Sequence, residues 1–396
     1  MRSAWIAALA LSLAFPAFAA DRAHIAAPTR AQAHGKVVGY FPQWGVYDNY
    51  FVGNLVHSGA ADTLTQINYA QGFIRENQCV VADPQADMNL AYTVANSVDG
   101  VADDPAAILK GNFHQLQKLR QRYPHLRILL SLEGRAADFA AVAQPEVREG
   151  FVRSCIQRFV LGHLAPGVEA PGLFDGFDVD WEYPNTAQNE DFIALLAEFR
   201  RQMNAARPGL TLSIAAGATR DHIEAVDWKR VAAEVDEIGV MTYDYNGPWS
   251  HTTGLVAPLR SSNPHADTAS KAIADFTAHG APVEKLLLGI PFYAYQWTEV
   301  SGENNGLGIA GKPVRGNLNQ STAKTLAAAP DAKLYRDPVS QAPWLYDGKN
   351  FLTFEDATSL QAKATYVREQ HLGGVMIWEL SGDTDDAPLL RVFAGK

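Results

Sequence analysis

The chain has 396 residues, of which 47% are hydrophobic and 19% charged, the composition of an ordinary globular protein. Its formal net charge of −10 argues against nucleic acid or an anionic membrane as a partner and is compatible with a neutral ligand. Cys79 and Cys155 are the only cysteines, too few for a structural zinc site or a disulfide framework, and we expect them to stay unpaired. The histidines show no metal-ligand spacing, so we expect neither a metal nor a cofactor.

The N-terminus has the pattern of an export signal. Arg2 precedes an apolar stretch at 4–15, and Ala17-Phe18-Ala19 matches a small-x-small cleavage site. We therefore expect a signal peptide at 1–19, a leader at 20–35 and a secreted or periplasmic protein, whose net charge becomes −11 when Arg2 is removed. A membrane anchor is less favoured, because the apolar run is short for a span and no later stretch is long and apolar enough.

Eight short apolar runs then alternate with amphipathic stretches. Near-continuous apolar strands separated by helices predict a parallel sheet covered on both faces, and eight such units predict an α/β fold, a closed (β/α)8 TIM barrel. The predicted strands are 36–41, 64–70, 127–132, 173–181, 210–216, 237–243, 285–293 and 373–380. The predicted helices, with apolar residues spaced by three and four, are 107–123, 146–163, 189–206, 222–235, 267–279 and 357–371.

Two intervals interrupt the alternation. The stretch 298–353 contains Gly, Asn, Pro and a second set of aromatic residues, and it is too long for a loop. We expect a small α+β insertion there, between the seventh and eighth strands, with the barrel formed by 36–297 and 354–396. Residues 75–105 form another long connection, after the second strand.

The fourth strand concentrates carboxylates in the stretch FDGFDVDWEYP (174–184). Asp178, Asp180 and Glu182 alternate with apolar residues. Because successive side chains of a strand point to opposite faces, the acids share one face and the apolar residues the other. The apolar set suits the helix-covered outside of a barrel. We therefore expect the acids to point inward, with Glu182 nearest the carboxyl end, where barrel active sites lie.

Neither a solvated acidic face nor a calcium loop accounts for this stretch. The solvated face is excluded because the strand is central and its other face is apolar. The calcium loop is excluded because the sixth and twelfth positions from Asp178 are Tyr183 and Asn189 instead of Gly and Glu. Like charges and burial raise carboxyl pKa values and make the acids share a proton. The stretch thus supplies a general acid, Glu182, and a tuning neighbour, Asp180.

The stretch resembles the D-G-x-D-x-D-x-E signature of family 18 glycoside hydrolases, the chitinases and their relatives. Motifs of the first, sixth, seventh and eighth strands of that family resemble VGYFPQW (38–44), MTYDYNGPW (241–249), LLLGIPFYAY (286–295) and GGVMIWELSGD (373–383). An insertion between the last two strands is also a family trait. The resemblance spans about 36–393 and implies an exported retaining glycosidase that cleaves β-1,4-linked N-acetylglucosamine polymers, chitin or chitooligosaccharides.

A standard retaining glycosidase needs a second carboxylate as its nucleophile, and the end of the seventh strand offers none before Glu299. The resemblance implies that the substrate's own 2-acetamido oxygen attacks, while Glu182 acts first as acid and then as base. It further implies that Asp180 moves between Asp178 and the acetamido N–H, and that Tyr243 hydrogen-bonds to the acetamido oxygen.

The resemblance also supplies the remaining site residues. Tyr40 and Ser131 would help to hold the charge on Asp178, and Asp175 would support the cluster. Trp378 would form the floor of the sugar pocket, since an aromatic face suits the apolar face of a pyranose. The expected substrate-binding residues are Asp244, Trp378, Tyr40, Met241 and Trp249, and further candidates for a sugar groove are Trp44, Tyr245, Tyr295 and Trp297.

The chain departs from the family pattern at two strand ends. The third strand ends Ser131-Leu132-Glu133-Gly134 in place of S-x-G-G, and Ala294-Tyr295 replaces a common Gly-Arg. We expect Glu133 to be a solvated loop residue; the alternative is that it reshapes the cleft near Asp175. Two other functions stay open: a related hydrolase of N-glycans or peptidoglycan-derived sugars, and, less favoured, a chitin-binding lectin. We expect a monomer whose partner is its carbohydrate substrate.

Overall fold

The computed structural model describes residues 35–383 and 386–394, so the expected signal peptide and nearly all of the leader lie outside the described residues. The strands in chain order are β1 (Lys36–Pro42), β2 (Gln66–Arg75), β3 (Gln78–Val81), β4 (Arg127–Glu133), β5 (His163–Ala165), β6 (Val168–Glu169), β7 (Gly176–Asp180), β8 (Thr211–Gly217), β9 (Glu237–Met241), β10 (Leu286–Pro291), β11 (Tyr293–Thr298), β12 (Lys312–Pro313), β13 (Leu318–Asn319), β14 (Lys333–Arg336), β15 (Pro343–Tyr346), β16 (Phe351–Thr353) and β17 (Gly374–Trp378). The α-helices are α1 (Asn54–His57), α2 (Ala60–Thr63), α3 (Gly111–Arg122), α4 (Ala136–Val142), α5 (Pro145–Cys155), α6 (Asn189–Ala206), α7 (Arg220–Glu224), α8 (Trp228–Glu234), α9 (Ala269–Ala278), α10 (Gln320–Ala327) and α11 (Ala357–Glu369).

Eight parallel strands close into a barrel in the order β1, β2, β4, β7, β8, β9, β10 and β17. The ring closes because β1 pairs in parallel with both β2 and β17. Strand β3 lies outside the ring and forms an antiparallel hairpin with β2. The predicted (β/α)8 TIM barrel is therefore confirmed, and each of the eight predicted apolar runs overlaps one barrel strand.

The observed strand ends differ from the predicted ones where the chain leaves the barrel. Strand β7 ends at Asp180, so Glu182 lies two residues beyond the strand instead of within it. The predicted strand 285–293 divides in two: β10 ends at Pro291, and Tyr293 begins β11 in a different sheet. An apolar run alone does not show which neighbour each residue pairs with, and that pairing decides where a strand ends.

The predicted helices agree with the observed ones to different degrees. Helix α6 occupies the predicted interval 189–206. The interval 222–235 instead contains two short helices, α7 and α8, because Asp227 interrupts the pattern and caps the second helix by accepting a hydrogen bond from the backbone nitrogen of Arg230 (3.2 Å).

The segment between β10 and β17 forms a second sheet with its own apolar core. Its antiparallel strands run in the order β12, β11, β16, β15 and β14, with β13 also paired to β11, and helix α10 belongs to the same segment. Trp297, Trp344 and Phe351 are buried together between these strands. The sheet begins at Tyr293, earlier than the expected boundary at 298.

The alternation along β7 places its side chains as expected. Phe177 and Val179 are fully buried in the large core between barrel and helices. Trp181, just past the strand, belongs to the same core: its ring stacks on Phe139, with centroids 5.6 Å apart, and meets Phe192 edge-on. The apolar residues of the stretch therefore anchor β7 against the helices, and the acids face the interior.

Cys79 and Cys155 form a disulfide, with their Cα atoms 4.9 Å apart. The expectation of two unpaired cysteines is therefore wrong. The bond joins strand β3 of the hairpin to the end of helix α5. The two cysteines are 76 positions apart in the chain, and only the packing of the hairpin on that helix brings them together. Among the described residues, no helix combines the length and the apolar character that a membrane span requires.

Candidate active site

Asp178 is the innermost of the three acids Asp178, Asp180 and Glu182, and it is fully buried. Its carboxylate accepts three hydroxyl donors: Oδ2 from Tyr40 (2.6 Å) and Ser131 (2.9 Å), and Oδ1 from Ser213 (2.5 Å). Burial raises the pKa of Asp178, while these hydrogen bonds favour its charged form. The expected contacts of Tyr40 and Ser131 with Asp178 are present in the structure.

Asp180 is the second acid and has a different environment. It is buried, and its Oδ1 has no hydrogen-bond partner among the described residues. Its pKa is raised well above the usual value, chiefly by burial and then by the charges of Glu182, Asp178 and Glu133. An uncompensated buried carboxylate favours the protonated form or requires a donor from a ligand.

Glu182 is the outermost acid and lies at the mouth of the barrel. Its side chain remains accessible there, but the surrounding groups remove enough hydration to raise its pKa, and the charge of Asp244 adds to the rise. A hydrogen bond with Tyr183 opposes the rise. Glu182 is thus the acid of the three that a ligand can reach most directly.

A cavity of about 300 Å³ lies above these acids at the carboxyl end of the strands. The predicted residues that it brings together are Tyr40, Asp180, Glu182, Met241, Tyr243, Asp244, Tyr245, Tyr295 and Trp378. Residues that the sequence patterns did not single out also line it, namely Tyr183, Ala215, Ala218, Thr219, His222, Tyr293 and Asn317. Aromatic walls with a few carboxylates are the composition expected of a pocket for a sugar.

Tyr243 and Asp244 follow strand β9 on the wall of the cavity. Tyr243 is half-buried and its hydroxyl lies 3.8 Å from the sulfur of Met376. Asp244 is exposed, has a positive φ of 61°, and accepts a hydrogen bond from the hydroxyl of Tyr293. The protein around its carboxylate nevertheless removes enough hydration to raise the pKa of Asp244, and hydrogen bonds with Tyr293 and Tyr295 oppose the rise.

Trp378 lines both this cavity and a larger hollow of about 910 Å³. Its ring centroid lies 5.2 Å from that of Tyr40 and 6.3 Å from that of Trp44. Asp48 and Glu379 also line the larger hollow. The cavity and the hollow share Trp378, Tyr293 and Asn317 in their walls. The cleft therefore continues past the acids along one side of the barrel mouth.

The other aromatic candidates divide into exposed and buried residues. Trp249 is 57% exposed and meets the ring of Tyr295 edge-on at 5.6 Å. Trp297 is fully buried in the second sheet and its indole nitrogen donates to the carbonyl of Ser250 (2.9 Å). The interpretation of Trp297 as a groove residue is wrong, because its face is covered by protein.

Asp175 does not lie with the other acids. It precedes β7 at the opposite end of the barrel, where Arg120 donates to both of its oxygens and the backbone nitrogen of Ile128 donates to Oδ2 (3.0 Å). Arg207 lies 3.7 Å away. The expectation that Asp175 supports the acid cluster is therefore wrong: it fixes the entry of the chain into the strand.

Glu133 is neither a solvated loop residue nor a neighbour of Asp175, and both expectations are wrong. It is the last residue of β4, is partly buried, and lies at the same end of the barrel as Glu182. Burial, followed by the charges of Glu182 and Asp178, raises its pKa to about 7.

Two residues that the sequence patterns missed contact the site directly. Ser213 donates to Asp178, and its position was available from the sequence as the inward-facing serine of the neighbouring strand. His222 stacks on Tyr183 with ring centroids 3.9 Å apart, and its Nδ1 lies 3.0 Å from Oγ1 of Thr219. His222 lies on α7, a helix that the sequence pattern did not resolve from its neighbour.

Within the described part of the chain, no group of three or more His, Cys, Asp or Glu side chains is arranged to hold a metal ion. Fold and site together define a TIM-barrel protein with a carboxylate centre under an aromatic cleft.

Comparison with known proteins identifies the family. The sequence pattern of the glycosyl hydrolases family 18 matches residues 36–383. Chitinase C of Streptomyces lividans is 34% identical over 88% of this chain and 57% of its own length, and chitinase 63 of Streptomyces plicatus is 33% identical over 89% and 59%. The chain thus spans less than two thirds of the length of these relatives. The solved catalytic domain of the psychrophilic chitinase B from Arthrobacter TAD20 superimposes with a TM-score of 0.82 at 29% identity, over 91% of this chain and 95% of that domain. The chain belongs to the glycosyl hydrolases family 18, a family of glycosidases.

Proposed function

We propose that the protein is an exported glycosidase that hydrolyses β-1,4-linked N-acetylglucosamine polymers, chitin or chitooligosaccharides, with retention of configuration and through the substrate's own 2-acetamido group. The chitinases to which it is similar support this substrate. So does a cleft that continues beyond the acids, because an extended cleft holds several sugars of a chain.

Glu182 is the general acid of this proposal. It is the accessible carboxyl, and its raised pKa favours the protonated form that must give its proton to the leaving glycosidic oxygen. After the leaving sugar departs, the ionised Glu182 removes a proton from the attacking water. One residue therefore serves both steps, as in other retaining glycosidases.

The observation that carries the proposal is Oδ1 of Asp180, which has no hydrogen-bond partner among the residues that the structure describes. A buried carboxylate oxygen without a donor is costly, and the N–H of a 2-acetamido group would satisfy it. Asp180 would thereby orient the acetamido oxygen toward the anomeric carbon and stabilise the positive charge of the cyclic intermediate. The hydroxyl of Tyr243, on the cavity wall, would donate to the same acetamido group.

Asp178 would keep its charge in this scheme. Its three hydroxyl donors favour the ionised form, so the cluster's proton resides on the acids nearer the substrate. Trp378 would support the sugar ring from below, with Met241 and Asp244 beside it. Trp249 would contact a neighbouring sugar at the exposed rim.

The test compares partially deacetylated chitin with the fully acetylated polymer. Substrate assistance requires an acetamido group on the sugar whose bond is cleaved, so sequencing of the products by mass spectrometry should find N-acetylglucosamine at every new reducing end. Glucosamine at new reducing ends would contradict substrate assistance. A wild-type protein that cleaves neither polymer, nor an N-glycopeptide, nor peptidoglycan fragments would instead support a sugar-binding role.

Export and assembly need separate measurements. The N-terminal sequence of the protein recovered from the secreted or periplasmic fraction should begin at Ala20, the residue after the expected cleavage site. Size-exclusion chromatography with light scattering should give the mass of one chain.

A further inference from the structure

Glu133 lies beside the acid ladder, the row of inward-facing acids formed by Asp178, Asp180 and Glu182. The proposed mechanism gives Glu133 no role. Strands β4 and β7 are parallel neighbours, and their register aligns Ser131 with Asp178 and Glu133 with Asp180. Ser131 points into the barrel, because its hydroxyl donates to Asp178. Leu132 points outward into the helix-packed core. Glu133 therefore points inward, at the level of Asp180.

This register brings two carboxyl groups side by side. Adjacent strands lie about 4.8 Å apart, so aligned side chains on one face are direct neighbours. The charge of Glu133 acts on Asp180, and the charges of Glu182 and Asp178 act on Glu133. Glu133 thus extends the ladder of β7 sideways onto the next strand.

Strand β2 packs on the other side of Glu133. It bulges between Ala70 and Gly72, and the extra residue is Gln71. When the side-chain amide of Gln71 is oriented with its nitrogen toward the carboxylate of Glu133, this nitrogen donates to Oε1 (3.2 Å) and also approaches Oε2. This neutral donor favours the charged form of Glu133.

Positive charge does not balance the cluster. Arg135, two residues after Glu133, points to Asp138 and is 80% exposed. Within the described residues, Glu133, Asp180 and Glu182 take part in no ion pair with Lys, Arg or His. The groups that face Glu133 are thus three carboxyls from β7 and its end, and one amide from β2.

We propose that Glu133 is a positioning residue whose carboxyl shares the protons of this cluster, so that the cluster, and with it Glu182, keeps its last proton to higher pH than the acids of β7 alone would allow. The inference depends on the proposed role of Glu182 as general acid. Interacting carboxyls lose their protons in separated steps, and each added charge moves the last step to higher pH. Loss of Glu133 therefore narrows the pH range of activity from its alkaline side.

The first experiment measures kcat/KM against pH for the wild type, Glu133→Gln and Glu133→Gly on a fluorogenic chitooligosaccharide. Both variants should move the alkaline limb to lower pH by about 0.5–1 unit, with kcat/KM at pH 5 within about twofold of the wild type. The control Glu369→Gln removes one exposed charge from the end of α11 and should reproduce the wild-type profile. An unmoved alkaline limb, or an equal loss at every pH, overturns the proposal.

The second experiment needs no catalysis. A double-mutant cycle with Glu133→Gln and Glu182→Gln compares melting temperatures at pH 5 and pH 8. At pH 8 each single substitution should raise the melting temperature, and the two effects should not add, because either one removes the same repulsion. At pH 5, where protonation of Glu133 weakens the repulsion, the effects should come closer to adding. Additivity at both pH values overturns the proposal, whereas coupling in a protein that cleaves no substrate means that the proposed function has failed on its own.

Discussion

The two ends of the barrel differ in whether their carboxylates are paired with cations. At the amino end, Asp175 is bound by Arg120, with Arg207 nearby. Glu237, also buried there, pairs with Lys36 and accepts a hydrogen bond from Nε2 of Gln66 (2.8 Å). At the carboxyl end, the described residues provide no cation for Asp180, Glu182 or Glu133, and the pKa of each is raised.

This difference distinguishes carboxylates with a structural role from carboxyls that can transfer a proton. A carboxylate paired with arginine stays ionised and fixes backbone geometry, so it has no proton to give. A carboxyl surrounded by other carboxyls keeps its proton near neutral pH and can act as an acid. The same stretch of chain supplies both kinds, because β7 runs from one end of the barrel to the other.

The largest effect is expected for Glu182→Gln, at the carboxyl end. The amide cannot protonate the leaving oxygen, so kcat should fall by about 10³-fold or more. Initial rates on a fluorogenic chitooligosaccharide measure the loss, and a circular dichroism melt should show a fold at least as stable as that of the wild type. A rate within tenfold of the wild type would place the acid elsewhere.

Asp175→Asn tests the amino end. It leaves Arg120 without its buried partner, and breaking such a pair costs about 3 kcal/mol in the free energy of unfolding. Urea unfolding measures the loss, while kcat per folded molecule should not change. A lower kcat with unchanged stability would mean that the two ends are not separate in function.

Asp180→Asn probes the centre of the cluster. Loss of the carboxylate should lower kcat by about 10²-fold, because the amide cannot stabilise the positive intermediate. It should also move the alkaline limb to lower pH, since removal of a negative neighbour lowers the pKa of Glu182. The pH profile of kcat/KM checks both effects, and an unchanged profile would argue against coupling between the two acids.

The smallest effect concerns stability against pH. Burial raises the pKa of Glu379 and Glu133 from 4.5 to about 7, so between these values the folded protein binds more protons than the unfolded chain. The free energy of unfolding should therefore fall as pH rises from about 4.5 to 7. Glu379→Gln should reduce this fall by about 2 kcal/mol in urea unfolding at pH 5 to 8. A steeper fall in the variant would contradict the sign.

Several features of the protein were predictable from local sequence alone. The eight apolar runs predicted the barrel, and the alternation around Asp178 and Asp180 predicted which side chains face its interior. These patterns have periods of a few residues, so a short stretch is enough to read them. The same holds for the 18-residue helix α6.

Three features that escaped prediction depend on residues far apart in the chain. The disulfide joins positions separated by 76 residues, and Arg120 reaches Asp175 across 55. Glu133 meets Asp180 only because β4 and β7 pair in one particular register. By itself, the sequence determined the type of fold and the direction of the acids, because both follow from the local repeat. Only the tertiary structure decided which acids pair with cations and which lie next to other acids, because these contacts depend on strand register and on packing between distant segments.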